Sequence, residues 1–274
     1  MKFAICNEIF QNWKYDDIVP FVAQLGYEGI EIAPFTAAKS VVDVPTSERH
    51  RWRDLTQRHG LTITGIHWVL AHTEGLHLTH PDANIRLRTA EYFGHLVDFC
   101  ADIGGRNIVL GSPKQRGLVD GVTLEQAEDF AFAVLQPAVR KAQERDVVLC
   151  FEPLGPGETN FINTAAHAIQ FVDRFDSPHC KIILDVKAMS AEDKGIPQII
   201  QESRGHFAHF HANDKNLKGP GFGEIDFVPI AQALRESSYD GWVSVEVFDF
   251  SEGPERIAQE SLNYLRRTFS TERN

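Results

Sequence analysis

Apolar and polar positions follow two rhythms along the chain. Short runs rich in β-branched residues, KFAIC, YEGIEIAPF, LTITGIHWVL, NIVLGS, VVLCFEP, CKIILD, HFAHFHAND and WVSVEVF, alternate with longer stretches such as YDDIVPFVAQLG, SERHRWRDLTQRHG, NIRLRTAEYFGHLVDFCADIGG and TLEQAEDFAFAVLQPAVRKAQERD. In the longer stretches apolar residues return every three to four positions and end at Gly or polar stops, which predicts helices between eight strands. Several strands are apolar at nearly every position, as expected of parallel strands covered on both faces. Eight βα units in about 250 residues predict an α/β fold, a single (β/α)8 TIM barrel, with a doubly wound sheet as the lesser alternative. No linker or charge block interrupts the alternation, so residues 1–274 are expected to form one domain. The loops at Ala71–Asp82 and Ala212–Glu224 exceed ordinary βα lengths, which suggests function.

In a TIM barrel the active site lies at the C-terminal ends of the strands, so the polar residue closing each run is informative. VVLCFEP ends in Glu152, KIILD in Asp185 and HFAHFH in His211, and WVSVEVF carries Glu246 near its end. Three carboxylates and an imidazole around one rim need a cation. Oxygen-rich ligation with one imidazole suits a divalent ion, manganese first, with magnesium or cobalt as alternatives, better than a structural zinc. Strand-end acids are also common as solvated groups or helix caps; four at successive strands make coincidence a weaker explanation.

Charge and composition narrow the partners. Thirty-eight acids against 27 bases give a formal charge of -11, which argues against binding a phosphate backbone. Cys6, Cys100, Cys150 and Cys180 form no Cys-x-x-Cys pair and lie mostly in apolar runs, which fits a reducing cytoplasm. No apolar run approaches the roughly 20 residues needed to cross a bilayer, and the first residues lack a signal-peptide core.

FEPLGPGETNFINT, IILD, HFHAND followed by GPGFGEIDF, and VSVEVF occur in the order and position of the fifth to eighth strand-end motifs of the xylose isomerase-like TIM barrels. Within these the chain resembles, over essentially its whole length, the sugar isomerase and epimerase group that includes the tagatose and psicose 3-epimerases. The resemblance implies that Glu152, Asp185, His211 and Glu246 bind one divalent metal. It also implies proton abstraction beside a carbonyl through a metal-stabilised enediolate, with Glu152 and Glu246 as acid and base. Glu158 stands where the 3-epimerases bind the end of the sugar; a loop acid or helix cap is the alternative. Two positions depart from that group: its His three residues after the strand-six Asp is Ala188 here, and its Arg after the strand-seven His is Leu217, with Lys218 beside it. These departures put a free ketohexose substrate in doubt and turn attention to Lys187, which can contact a sugar hydroxyl or carboxylate unless it is an exposed loop lysine.

Other rim residues are candidates for the same pocket. His67 ends strand three, and Trp68 beside it can stack on a sugar or pack in the core. His72, Glu74, His77 and His80 match no zinc spacing and suit a lid or packing. Lys114, Gln115 and Arg116 form a basic cluster able to hold a phosphate or carboxylate. Gly219, Gly221 and Gly223 allow close backbone approach to a ligand, and Asp214 can orient His211 or a sugar hydroxyl. Rival functions are a lyase or dehydratase of keto-sugars, 3-ketoglycosides or keto-inositols using the same enediolate, an AP-endonuclease-like enzyme disfavoured by charge, and a silent sugar-binding protein. Members of the group commonly pair, so a homodimer or larger homo-oligomer is also expected.

Overall fold

The computed structural model describes residues 1–270. Each of the eight apolar runs contains a strand: β1 (Lys2–Cys6), β2 (Gly29–Ile32), β3 (Thr62–Ile66), β4 (Asn107–Leu110), β5 (Val148–Phe151), β6 (Cys180–Asp185), β7 (Phe207–Ala212) and β8 (Trp242–Val245). Every strand pairs in parallel with the next, and β8 returns to β1 with Val245 opposite Ile5, so the sheet closes into a barrel. Closure replaces the doubly wound alternative, because such a sheet keeps two free edges.

Nine helices run outside it among the described residues: α1 (Tyr15–Leu25), α2 (Thr46–Arg58), α3 (Ala83–Asp102), α4 (Leu124–Arg145), α5 (Ala165–Asp173), α6 (Val186–Met189), α7 (Ile196–Glu202), α8 (Phe227–Glu236) and α9 (Pro254–Ser270). Their ends follow local chemistry. Thr123 and Gln126 form a reciprocal capping box at the start of α4, satisfying two N–H groups that the helix itself leaves free. Gly26 closes α1 in the left-handed region, φ +92°, where a Cβ would be strained.

Strand parity places the chemistry. Leu149 and Phe151 of β5, Ile182 and Leu184 of β6, Phe210 of β7, and Val243 and Val245 of β8 join the large apolar core between sheet and helices. The intervening residues therefore face the barrel axis. Cys150 and Ile183 pack there with Val109 in a small separate cluster. Two positions further along the same inward rows stand Glu152 and Asp185, while His209 is followed by His211 and Ser244 by Glu246. Neighbouring strands keep these rows level, since Asp185 pairs with His211 and His211 with Ser244.

Candidate metal centre and active site

Those four rows meet at one point. One ligand atom from each of Glu152, Asp185, His211 and Glu246 lies within 4.8 Å of all the others, and all four side chains are buried. Gly111, just after β4, leaves the room that Glu152 needs: a Cβ there would sit 2.2 Å from its Oε2. Asp185 Oδ1 accepts from the Ala188 N–H at 2.7 Å, capping α6, and Oδ2 accepts from Asn213 Nδ2. Asn213 Oδ1 in turn accepts the Lys187 N–H at 2.8 Å, so β7 fixes the turn that follows β6.

So many buried carboxylates repel one another. Burial, then Glu246, pushes Asp185 up to about 6, and burial with Glu246 and Asp185 raises Glu152 well above the usual carboxylate range. For Glu246 burial is outweighed by His211, with smaller help from His67 and Lys187, and its carboxyl is held low.

The donor set fits a divalent cation. His211 Nδ1 is buried with no hydrogen bond, 3.1 Å from Glu246 Oε2 and aimed into the carboxylates. Its other nitrogen, Nε2, lies 3.1 Å from Glu31 Oε1. Donation of the Nε2 proton to Glu31 leaves Nδ1 with a free lone pair, the tautomer a metal ligand requires. Glu31 is fully buried on β2; its Oε2 meets His209 Nε2 at 2.7 Å, and its Oε1 lies 3.8 Å from His67 Nδ1. Burial alone would raise this carboxyl, but His209 and His211 outweigh it and hold it well below the ordinary range.

Above the cluster opens a cavity of about 580 Å³, with Glu152, Glu246, Trp68, Lys187, Phe248 and Glu158 in its wall. Trp68 Nε1 donates to Glu246 Oε1 at 2.7 Å, and its ring stacks between Phe35 and Phe248 at 5.8 and 5.6 Å. These contacts hold a non-glycine residue at φ +51°, a conformation that costs on the order of 1–3 kcal/mol when unsupported. Lys187 Nζ bonds Glu158 Oε1 at 2.7 Å and lies 4.0 Å from the Phe248 ring centre. Burial alone would lower this ammonium, but Asp185 and Glu158 outweigh it and keep it charged.

Residues 19–268 match the family of xylose isomerase-like TIM barrels. The chain belongs to that family. Among its relatives, a probable ketose 3-epimerase of Synechocystis sp. is 25% identical over 90% of this chain and 88% of its own length. A 3-dehydro-D-guloside 4-epimerase of Escherichia coli is 23% identical over 97% of this chain and 99% of its own. The crystal structure of a D-psicose 3-epimerase in the presence of D-fructose shares the fold with a TM-score of 0.87 at 22% identity, covering 99% of this chain and all of that one.

Within this xylose isomerase-like barrel, several candidates sit away from the place the sequence suggests. Arg116, a candidate in the loop after β4 for holding a phosphate or carboxylate, is fully buried and donates to the carbonyls of Leu110, Gly111, Glu152, Phe161 and Ile162. The five carbonyls engage both terminal nitrogens, Nε is buried without a partner, and full burial keeps the guanidinium from substrate, so Lys114 alone of the basic pair lines the cavity. Asp214 orients neither His211 nor the cavity: its Oδ2 accepts from the Ile225 N–H at 2.9 Å and clasps the loop after β7. Gly223 is there because a Cβ would lie 2.2 Å from the Asp214 carboxyl carbon, so packing accounts for it. His67 is buried behind Trp68, with Nε2 2.7 Å from Glu8 Oε2.

His72 and Glu74 line the cavity, whereas His77 and His80 accept backbone N–H groups within their own loop. Lys218 pairs with Glu252 at 2.6 Å. The helix after Asn163 is capped by Thr164, which leaves Glu158 for Lys187. Sequence reasoning missed Glu31, Asn213 and Glu8. The signal for Glu31 was a carboxylate between Ile30 and Ile32 in an otherwise apolar strand.

Proposed function

We propose that this protein is a divalent-metal-dependent epimerase of keto-sugars that moves a proton at the carbon beside a carbonyl. The observation that carries the reading is the pair of buried glutamates, Glu152 and Glu246, converging with Asp185 and His211 beneath a cavity of sugar size. Manganese is the ion we assign, because three carboxylates and one imidazole form a hard, oxygen-rich set. When bound, the cation would polarise the sugar carbonyl and favour the negative oxygen that develops on proton removal. One glutamate removes the proton and the other returns one, and the Trp68 indole N–H holds Glu246 in place while they do so. Lys187, anchored by Glu158, presents its ammonium to a hydroxyl or carboxylate of the sugar in place of the histidine that the 3-epimerases carry nearby. Lys114, Trp68, His72 and Glu74 line the same cavity. The substrate is a small sugar or sugar derivative, and we place the enzyme in the cytoplasm, where its four buried free thiols stay reduced.

Incubation with ketohexoses and 3-keto-glycosides in D2O, followed by NMR, tests the reading. The manganese-loaded protein incorporates deuterium beside the carbonyl and yields the epimer. Glu152→Gln and Glu246→Gln each lose on the order of 10²–10⁴ in rate. Intact activity in both variants sinks the proposal, and elimination products instead of an epimer assign the same proton abstraction to a lyase.

A further inference from the structure

Asn213 is buried at the first position after β7, between the strands that carry Asp185 and Glu246, and it touches both the metal-binding carboxylates and the turn of Lys187. Its backbone is held on either side. The carbonyl of Ala212 accepts the Glu246 N–H at 3.2 Å, and Asp214 clasps the following loop through the Ile225 N–H. The side chain is therefore delivered to one fixed place on the rim.

The partners decide which way the amide faces. Oδ1 accepts the Lys187 N–H at 2.8 Å, while Nδ2 lies against Asp185 Oδ2 and, at 3.4 Å, Glu246 Oε2. The opposite orientation would set an oxygen against two carboxylate oxygens and a donor against the Lys187 N–H, so the network excludes it. In the observed orientation the two Nδ2 hydrogens serve one carboxylate each. A primary amide suits this place better than its nearest substitutes, because a carboxylate would bring a third acidic side chain to the pair and a hydroxyl has one hydrogen for two acceptors.

The same group seats Lys187. Asn213 holds the Lys187 N–H and Asp185 Oδ1 the Ala188 N–H, so the four-residue α6 is tied down at two successive residues. The ammonium that this turn sends out reaches Glu158 and the metal cavity on a side chain only 12% exposed.

We infer that Asn213 is a positioning residue that sets the gap between two of the metal-binding carboxylates and, with the same amide, seats the lysine that faces the substrate. This deepens the proposed function and rests on it for the role of the lysine, while the hold on the carboxylates stands by itself.

Asn213→Ala and the similarly sized Asn213→Leu, both checked for folding by melting temperature, test the inference. In a chelator competition titration each is expected to bind manganese about tenfold or more weakly. At saturating manganese, where the cation itself gathers the carboxylates, kcat/KM is measured on the ketohexose or 3-keto-glycoside that the wild type epimerises. Each substitution lowers it about tenfold with Lys187 present and no more than about twofold when Lys187 is already alanine, the non-additivity of residues that act through one another. Reductive methylation followed by mass spectrometry reads the lysine without turnover: labelling of Lys187 rises in both variants relative to the exposed Lys114. Wild-type manganese affinity in both variants, or failure of both to fold, gives Asn213 a structural role only and overturns the inference. A loss in kcat/KM that adds in full to that of Lys187→Ala, or unchanged labelling, overturns the link to the lysine. Absence of turnover in every protein, wild type included, defeats the proposed epimerase, while titration and labelling still decide Asn213.

Discussion

The two halves of the barrel treat buried charge in opposite ways. Strands β5 to β8 bring three carboxylates and His211 together, and in the metal-free protein this side holds protons against repulsion. Strands β1 to β3 bring single carboxylates to imidazoles, Glu31 to His209 and His211 and Glu8 to His67, so each charge meets a partner inside the protein. The first arrangement is incomplete without a cation. The second pairs each carboxylate with an imidazole, and the work of Glu31 is to point His211 Nδ1 at the place a cation would occupy. A buried acidic cluster and a buried acid–imidazole network thus have different tasks though both are invisible from the surface.

The largest effect expected from breaking this division comes from Glu31. Glu31→Ala removes the acceptor for the His211 Nε2 proton and should weaken manganese binding by about 10–100-fold in a chelator competition titration. Glu31→Gln keeps an acceptor and should recover most of the loss. If Glu31→Ala lowers the melting temperature but leaves metal affinity intact, the carboxylate supports the fold and does not position the ligand.

Lys187 sharpens the comparison from the other side, because it belongs to the metal half without being a ligand. Lys187→Ala should retain full metal content by elemental analysis while kcat/KM falls by at least about tenfold, the lower end for a lost hydrogen bond to a charged group. Normal turnover in that variant would return the lysine to a surface role.

The smallest effect is one of pH, and its sign differs between the halves. Asp185 has a folded pKa raised from 3.8 to about 6, so its contribution to stability is present at low pH and is lost as pH rises through 6. Glu31 is held low, so its contribution is present above the ordinary glutamate value and is lost as pH falls. A divalent cation held by the cluster would neutralise the first group and leave the second unchanged. The manganese-induced rise in melting temperature should therefore be greater at pH 7 than at pH 5, by about 2–4 °C for each kcal/mol of difference. An equal rise at both values would show that Asp185 is ionised without the metal.

Much of the metal half was legible in the chain because its information is local. A short continuous apolar run marks a strand buried on both faces, and a polar residue at the end of such a run stands at the rim of any closed parallel barrel. Glu152, Asp185, His211 and Glu246 each obey that rule within their own strand. The orienting half was not legible, because its contacts join distant strands. Glu31 meets His209 across 178 residues, and Trp68 meets Glu246 across the same separation.

Arg116 marks the boundary between the two kinds of information. Its basic loop sequence is the same whether the guanidinium faces substrate or folds back onto five carbonyls, and only the packing of the loops after β4 and β5 selects the second. The sequence by itself determined the eight strands and the four polar residues at the ends of the last four, since each is local to one apolar run. Closure of the barrel decided which carboxylate holds His211, where Lys187 is anchored and which indole holds Glu246, because partners in a closed sheet are set by register around the ring.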